Sequence, residues 1–377
     1  MTPEQRITQI EQFLHYAAVD WPKERRSLTG QIAARCQRCV LSERLVPLTN
    51  GLCPFCSSNE KPVDDSSAKQ DVSLMQKELD QIFKSYQQKS KGQYDALVLY
   101  SGGKDSALLL HKLTTEYPKL RLLALFIDNG FASSVAFQNI RYALEKIDVD
   151  LYTIRPKHSL FQKTFHHALL NRPKDGYPLG DRLDGELSFD ISRNLAASLD
   201  IPLMIIGLSP DQVEKILNLS TFESPTKWEE EKDTMKEFGL EQLYTEQEKK
   251  YWWRSKAWPR ERRPRVLYPL YAWRLSEPFI RSEVVRLGLI NSGRDHPFVT
   301  NNDLIFVNIA ADVMDRGYSG FEPGFAHMIR QGKADREHWL HIFEAAEYLT
   351  RKGQFLSECI DDSLAKLRLS RKDLRLP

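Results

Sequence analysis

Short apolar runs alternate with stretches of helical periodicity through the middle of this chain, and that alternation predicts its architecture. Tyr94 to Tyr100 and Leu120 to Ile127 are apolar runs of strand length, Asp150 to Arg155 is strand-like, and Pro202 to Leu208 reads as a further buried strand. Between and after them, a stretch opening at Ala107, then Ser134 to Ile147, Phe161 to Leu170 and Asp190 to Leu199 carry helical spacing. Strands that alternate with helices predict a doubly wound α/β fold, a parallel sheet covered on both faces. Ligands of such sheets sit beyond the carboxyl ends of the strands, where the strand order reverses. The strand ends at Ser101, Asp128 and Gly207 are therefore candidates for one site.

Outside this core the pattern is helical. Thr2 and Pro3 read as the cap and first residue of a surface helix. Val72 to Tyr86 places Leu74, Met75, Leu79, Ile82 and Phe83 on one side, Ser276-Glu277-Pro278 opens a helix running to Leu287, and Phe355 to Leu367 is helical. Ser57 to Asp71, rich in Ser, Lys, Asp and Glu, reads as a linker. With 377 residues the chain has room for two or three domains. Its 41% hydrophobic content suffices for a core, and no apolar run is long enough to span a bilayer. Met1 to Asp20 is charged throughout and unlike a signal peptide, so a cytoplasmic protein is expected. A net charge of +2 gives no bulk attraction to nucleic acid.

Four of the five cysteines, Cys36, Cys39, Cys53 and Cys56, form two Cys-x-x-Cys knuckles separated by thirteen residues. That is the spacing of a tetrahedral zinc ribbon, in which four thiolates close the coordination sphere and leave no place for a substrate. An iron–sulfur cluster on the same ligands is the alternative, and disulfides do not suit a reducing compartment. Cys359, inside a helical pattern, reads as a small buried apolar residue.

The first strand runs into Ser101-Gly102-Gly103-Lys104-Asp105-Ser106. A strand that turns through glycines into a helix offers free backbone N–H groups to an anion. The adjacent glycines, and Asp105 where a serine or threonine would be needed, exclude a Walker A loop, and a dinucleotide turn lacks its third glycine here. The small residues let the backbone wrap phosphates, Ser101 and Ser106 supply hydroxyls, Lys104 supplies charge, and Asp105 suits Mg²⁺.

This hexapeptide resembles the signature of the PP-loop ATP pyrophosphatases. The resemblance implies a Rossmann-like PP-loop sheet, of the HUP type, that binds ATP and cleaves it between the α and β phosphates. An acceptor oxygen is thereby adenylated and then displaced by nitrogen or sulfur. By the same analogy, main chain from Phe126 to Asp128 holds adenine and ribose, and Gly207 permits close approach of the nucleotide. The alternative for Asp128 is ordinary turn or cap chemistry.

A narrower similarity covers most of the chain. The ribbon wording Arg35-Cys36, Arg38-Cys39-Val40 and Gly51-Leu52-Cys53 looks like the N-acetyl sugar amidotransferase family. So do Tyr94 through Ser106, Asp128-Asn129-Gly130-Phe131, Asn139-Ile140 and Thr300-Asn301-Asn302-Asp303. Arg316-Gly317-Tyr318, Ile329 to Lys333 and Arg336-Glu337 complete the likeness. The resemblance implies transfer of ammonia from a partner glutaminase to an N-acetylated nucleotide sugar. Arg330 and Arg336, loosely on one helix side, become candidates for an anionic substrate.

The expected organisation is then a helix and four-Cys ribbon in 1–60, a linker and helix in 61–92, and an ATP-binding domain in 93–219. A charged insertion or lid follows in 220–265, and a mostly helical region for substrate or oligomerisation in 266–377. The insertion departs from the family pattern. Its acidic half holds Glu229, Glu230, Glu231 and Asp233; its basic aromatic half holds Trp252, Trp253, Arg254, Trp258, Arg260, Arg262, Arg263 and Arg265. Arginines between aromatics can stack on bases, so an RNA contact is weighed against a solvated or lid-like excursion, the favoured reading. His296 and His327 read as turn-satisfying rather than as bases. Two other functions stand beside amidotransfer. One is ATP-dependent thiolation of a nucleobase, tRNA or heterocycle with sulfur from a partner; the other is an ATP-responsive module without catalysis.

Overall fold

The computed structural model describes residues 1–57, 65–173, 176–300 and 302–377. Residues 58–64 of the expected linker, and Asn301, lie outside the described residues. The chain divides into two compact units. One comprises Met1–Lys61, Gln162–Leu183 and Asn301–Pro377; the other comprises Pro62–Phe161 and Asp184–Thr300.

The second unit holds a five-stranded parallel sheet. Its strands are β1 (Ala96–Leu99), β2 (Leu122–Ile127), β3 (Asp150–Ile154), β4 (Leu203–Ile205) and β5 (Arg265–Leu267). They lie in the order β3-β2-β1-β4-β5. Val98 of β1 is in register with Ala124 on one side and Ile205 on the other. The chain steps outward from β1 to β3 and then returns to β4 on the opposite flank, so the order reverses between β1 and β4. Leu97, Val98, Leu123, Ala124, Met204 and Ile205 are buried, as continuous apolar strands covered on both faces should be. The Lys104–Glu116 helix adds Ala107, Leu108, Leu109, Leu110 and Leu113 to this core.

The start of β1 is held by one carboxylate. Asp95 is fully buried and accepts backbone N–H bonds from Gln88 (2.9 Å), Ser90 (3.0 Å) and Arg121 (3.0 Å). Arg121 also clasps it with Nε at 3.0 Å and Nη2 at 2.7 Å. Burial opposes the Asp95 charge, but these donors outweigh it and hold the carboxyl below its ordinary pKa.

Several expected boundaries move. The helix expected from Val72 begins at Asp65, and the one expected from Asp190 spans Leu179–Ser198, across Gly180 and Gly185. Glycine disfavours a helix interior, which hid the first half of the second one. β5 lies at the end of the stretch read as a charged excursion. It is three residues long, behind Pro264 and a run of arginines, and too short to show a period.

The rest of that excursion is knit to the unit by its own charges. Arg193 of the Leu179–Ser198 helix forks onto Glu229 (2.7 and 2.9 Å), Lys232 meets Glu186 at 2.6 Å, and Arg265 forks onto Glu223 (both 2.7 Å). Trp252 and Trp253 are buried, and Trp258 donates its indole N–H to Asn194. Trp252 and Trp253 therefore pack inside the protein, while Trp258 is half-buried.

The first unit is helical around the four cysteines. As the sequence predicts, Thr2 caps the Pro3–His15 helix, and Gln5 completes a capping box with it. The Leu304–Arg316, Glu322–Arg330, Arg336–Arg351 and Ser357–Leu367 helices supply the carboxyl-terminal part. No helix among the described residues is long and apolar enough to cross a membrane.

Candidate functional site

The glycine loop leaves the carboxyl end of central β1, beside the reversal of strand order. Gly102 has φ 76°, and a Cβ there would lie 2.4 Å from the carbonyl oxygen of Ala136. Only glycine satisfies both constraints. Gly103 precedes the Lys104–Glu116 helix without any side-chain cap, so that helix N-terminus keeps N–H groups for a ligand. Ser106 braces the turn from within: its hydroxyl accepts from Ser101 N (3.2 Å), donates to Gly103 O (3.1 Å) and lies 3.1 Å from Ser101 Oγ.

Lys104 Nζ meets Asp105 Oδ2 at 2.8 Å. Burial disfavours the Lys104 charge, but Asp105 outweighs it and holds the ammonium above its ordinary pKa. Nearby, Arg281 bridges Glu277 (2.8 Å) and Asp295 (3.1 Å). Asn139, buried on the Ser134–Leu144 helix, donates Nδ2 to Gly102 O (3.0 Å) and to Arg294 O (3.1 Å). The sequence offered Asn139 only as part of a resembling motif, because its partners are remote in the chain.

The neighbouring strand ends complete this face. Asp128, after β2, accepts from Gly130 N at 2.9 Å and faces Arg155 Nη1 at 3.5 Å. The following helix is capped instead by Ser133, whose Oγ accepts from Ala136 N at 3.0 Å. Phe126 is buried within β2. Beyond β4, a Cβ on Gly207 would lie 3.3 Å from Ser106 Cα and 3.3 Å from Leu109 Cδ2. Gly207 thus lets the β4 end press against the loop backbone. His296 is tied into its own turn, its Nδ1 accepting from Phe298 N at 3.1 Å.

In the other unit Cys36, Cys39, Cys53 and Cys56 are buried and unbridged, with all four Sγ atoms within 4.8 Å of one another. Four thiolates at zinc's bond length lie about 3.8 Å apart, so this donor set fits a metal ion. Cys39 and Cys53 Sγ are 3.7 Å apart. Burial opposes the Cys36 thiolate, but the N–H groups of Cys53, Cys39 and Arg38 outweigh it and bring the Cys36 pKa to about 6. Cys39 is pushed up to about 11 by burial and by its sulfur neighbours.

Arg336 donates Nε to Cys39 O and Nη2 to Cys36 O, both at 2.9 Å, and Arg38 donates to Cys56 O at 2.9 Å. Arg330 lies over the Phe55 ring at 5.2 Å. The two arginines do not share a helix side: a turn through Gly332, φ 69°, separates the Glu322–Arg330 helix from the Arg336–Arg351 helix. His327 is on the first of these helices, 2.6 Å from Gln331 Nε2. Cys359 is fully buried, and burial pushes its thiol up to about 12.

Compared with known proteins, the chain matches no family model and no curated protein. Among solved structures it aligns with the U34-tRNA thiolase NcsA from Methanococcus maripaludis, which carries a 4Fe-4S cluster, at 13% identity over 80% of this chain and 87% of that one, TM-score 0.35. It aligns with the NMN synthetase of Francisella tularensis at 12% identity over 82% and 98%, TM-score 0.37. A third is the NH3-dependent NAD synthetase of Campylobacter jejuni, at 10% identity over 78% and 96%, TM-score 0.34. Alignments at these values carry no argument about function, which rests on the residues described above.

Proposed function

We propose that the chain is an ATP pyrophosphatase that adenylates an acceptor oxygen and exchanges it for nitrogen. The observation that carries this reading is the Ser101–Ser106 loop, set between the central strand and an uncapped helix N-terminus where the strand order reverses. The acceptor oxygen attacks the α phosphorus of ATP, the α–β bond breaks, and pyrophosphate leaves. Ammonia then attacks the activated carbon, loses a proton, and AMP departs with the oxygen. Negative charge gathers on the leaving pyrophosphate, where the loop N–H groups and Lys104 stabilise it. The Asp105 carboxylate suits Mg²⁺, which when bound offsets phosphate charge.

Nitrogen is favoured over cysteine-borne sulfur because the one cysteine outside the metal set, Cys359, is sealed and held as a thiol. The family resemblance supplies the acceptor class, an N-acetylated nucleotide sugar, and the ammonia source, a partner glutaminase. For the four cysteines we propose a single structural zinc. Each thiolate of a four-iron cluster caps a different iron and so stands farther from its neighbours than thiolates sharing one ion.

The test is to incubate the protein with ATP, Mg²⁺, ammonium and a panel of N-acetylated nucleotide sugars, following AMP and pyrophosphate. Acceptor-dependent release of both in equal amounts is expected. ADP and phosphate as products, or AMP formed only with sulfide and a nucleobase acceptor, would overturn it.

A further inference from the structure

We propose that Asn139 is a positioning residue that locks the Gly102–Gly103 peptide in the orientation that receives phosphate. This inference rests on the reading of the Ser101–Ser106 loop as a phosphate site. A peptide unit flanked by two glycines turns over at little cost, since neither residue has a Cβ to oppose the change in φ and ψ. Because the peptide is planar and trans, its C=O and N–H point in opposite directions. Turning it over would present the Gly102 carbonyl oxygen where the Gly103 N–H had been, so a donor to the phosphate would be replaced by a partial negative charge.

The structure opposes this turn at one atom. Asn139 Nδ2 donates to Gly102 O at 3.0 Å, which holds the carbonyl against the Ser134–Leu144 helix and aims the Gly103 N–H away from it. The Gly103 N–H lies 3.4 Å from Ser101 Oγ, a long contact that a phosphate oxygen can displace. The second Nδ2 hydrogen goes to Arg294 O at 3.1 Å. Two carbonyl partners fix which end of the Asn139 amide faces the loop, because the opposite end would set oxygen against oxygen. Asn139 is itself 3% exposed, so no water competes freely for these bonds. The helix backbone adds a steric constraint, since Ala136 O leaves no room for a side chain at position 102.

The test compares ATP and adenosine binding by calorimetry in the wild-type chain, Asn139→Ala and Asn139→Asp. Asn139→Asp is joined by Asn139→Leu, which keeps the volume, adds no charge and has no hydrogen to donate, and Asn139→Leu serves alone should the smaller side chain prevent folding or the buried carboxyl take up a proton. These variants are expected to bind ATP about tenfold to a hundredfold more weakly, the loss of a charge-assisted hydrogen bond, with adenosine binding unchanged. The Gly103 amide resonance in glycine-labelled protein should shift in these variants before ligand is added. Equal loss of ATP and adenosine, or unchanged ATP affinity, would overturn the inference. A wild-type chain that binds ATP no better than adenosine would instead remove the phosphate-site reading beneath it.

Discussion

Asp105 has two partners to choose between, an ammonium in the structure and a metal-bound phosphate in the proposed reaction. The 2.8 Å contact with Lys104 means that truncation to alanine would also strand a largely buried ammonium. Asp105→Asn is the cleaner change, because it leaves an oxygen for Lys104 and removes only the carboxylate charge. AMP formation should fall by about a hundredfold or more while the chain stays folded, read by product assay and by circular dichroism. Full activity would mean that Asp105 holds no metal. The chemical identities in the loop, the serines, glycines, lysine and aspartate, were legible in sequence because they are contiguous. Asn139 was not, since its two acceptors lie 37 and 155 residues away along the chain. Asp95 gives a pH signature at the same scale. Its carboxyl is held below the unfolded value, so its contribution to stability is complete above about pH 4 and fades as the pH falls through the lower folded pKa. Asp95→Asn should therefore be less stable than wild type at pH 7, with the gap narrowing toward pH 2 in urea titrations. A gap that widens with acid would contradict that sign.

Among the elements, the ribbon is tied to the carboxyl-terminal helices by buried charge. Arg35 bridges Glu322 of the Glu322–Arg330 helix and Glu347 of the Arg336–Arg351 helix, each at 2.9 Å and nearly without solvent. Removing the guanidinium takes the ion partner from buried Glu322 and leaves Glu347 only its 3.2 Å pair with Arg351, so Arg35→Ala should cost about 3–5 kcal/mol in chemical denaturation. Chelation of the metal should loosen both helices together with the knuckles, because Arg336 grips the carbonyls of Cys36 and Cys39. Amide exchange before and after chelation would detect this, and protection lost from the knuckles alone would contradict it. The cysteine spacing announced the metal set, since ligand spacing is local. The clamp that supports it, and short β5, were silent because both depend on partners distant in sequence.

For the molecule as a whole, the alternation of apolar runs and helical periodicity announced the parallel sheet, and the strand-end glycines marked the edge where we propose the phosphate site. Pairing order carries no such local mark; it emerges from the crossovers, which place β4 beside β1. The two-unit division was equally illegible, since Met1–Lys61, Gln162–Leu183 and Asn301–Pro377 reach one unit from three separated stretches. That interleaving bears on timing during synthesis. Cys36 leaves the ribosome long before Glu322, Arg336 and Glu347, the residues that secure its surroundings. The metal should therefore be held weakly by a nascent chain and firmly only once those helices have emerged. Ribosome-stalled chains in which residue 351 is still inside the exit tunnel, or is carried clear of it by an added carboxyl-terminal spacer, would measure this, with a zinc-competing dye expected to strip metal readily from the first alone. Equal retention by both would show that the knuckles close without the helices.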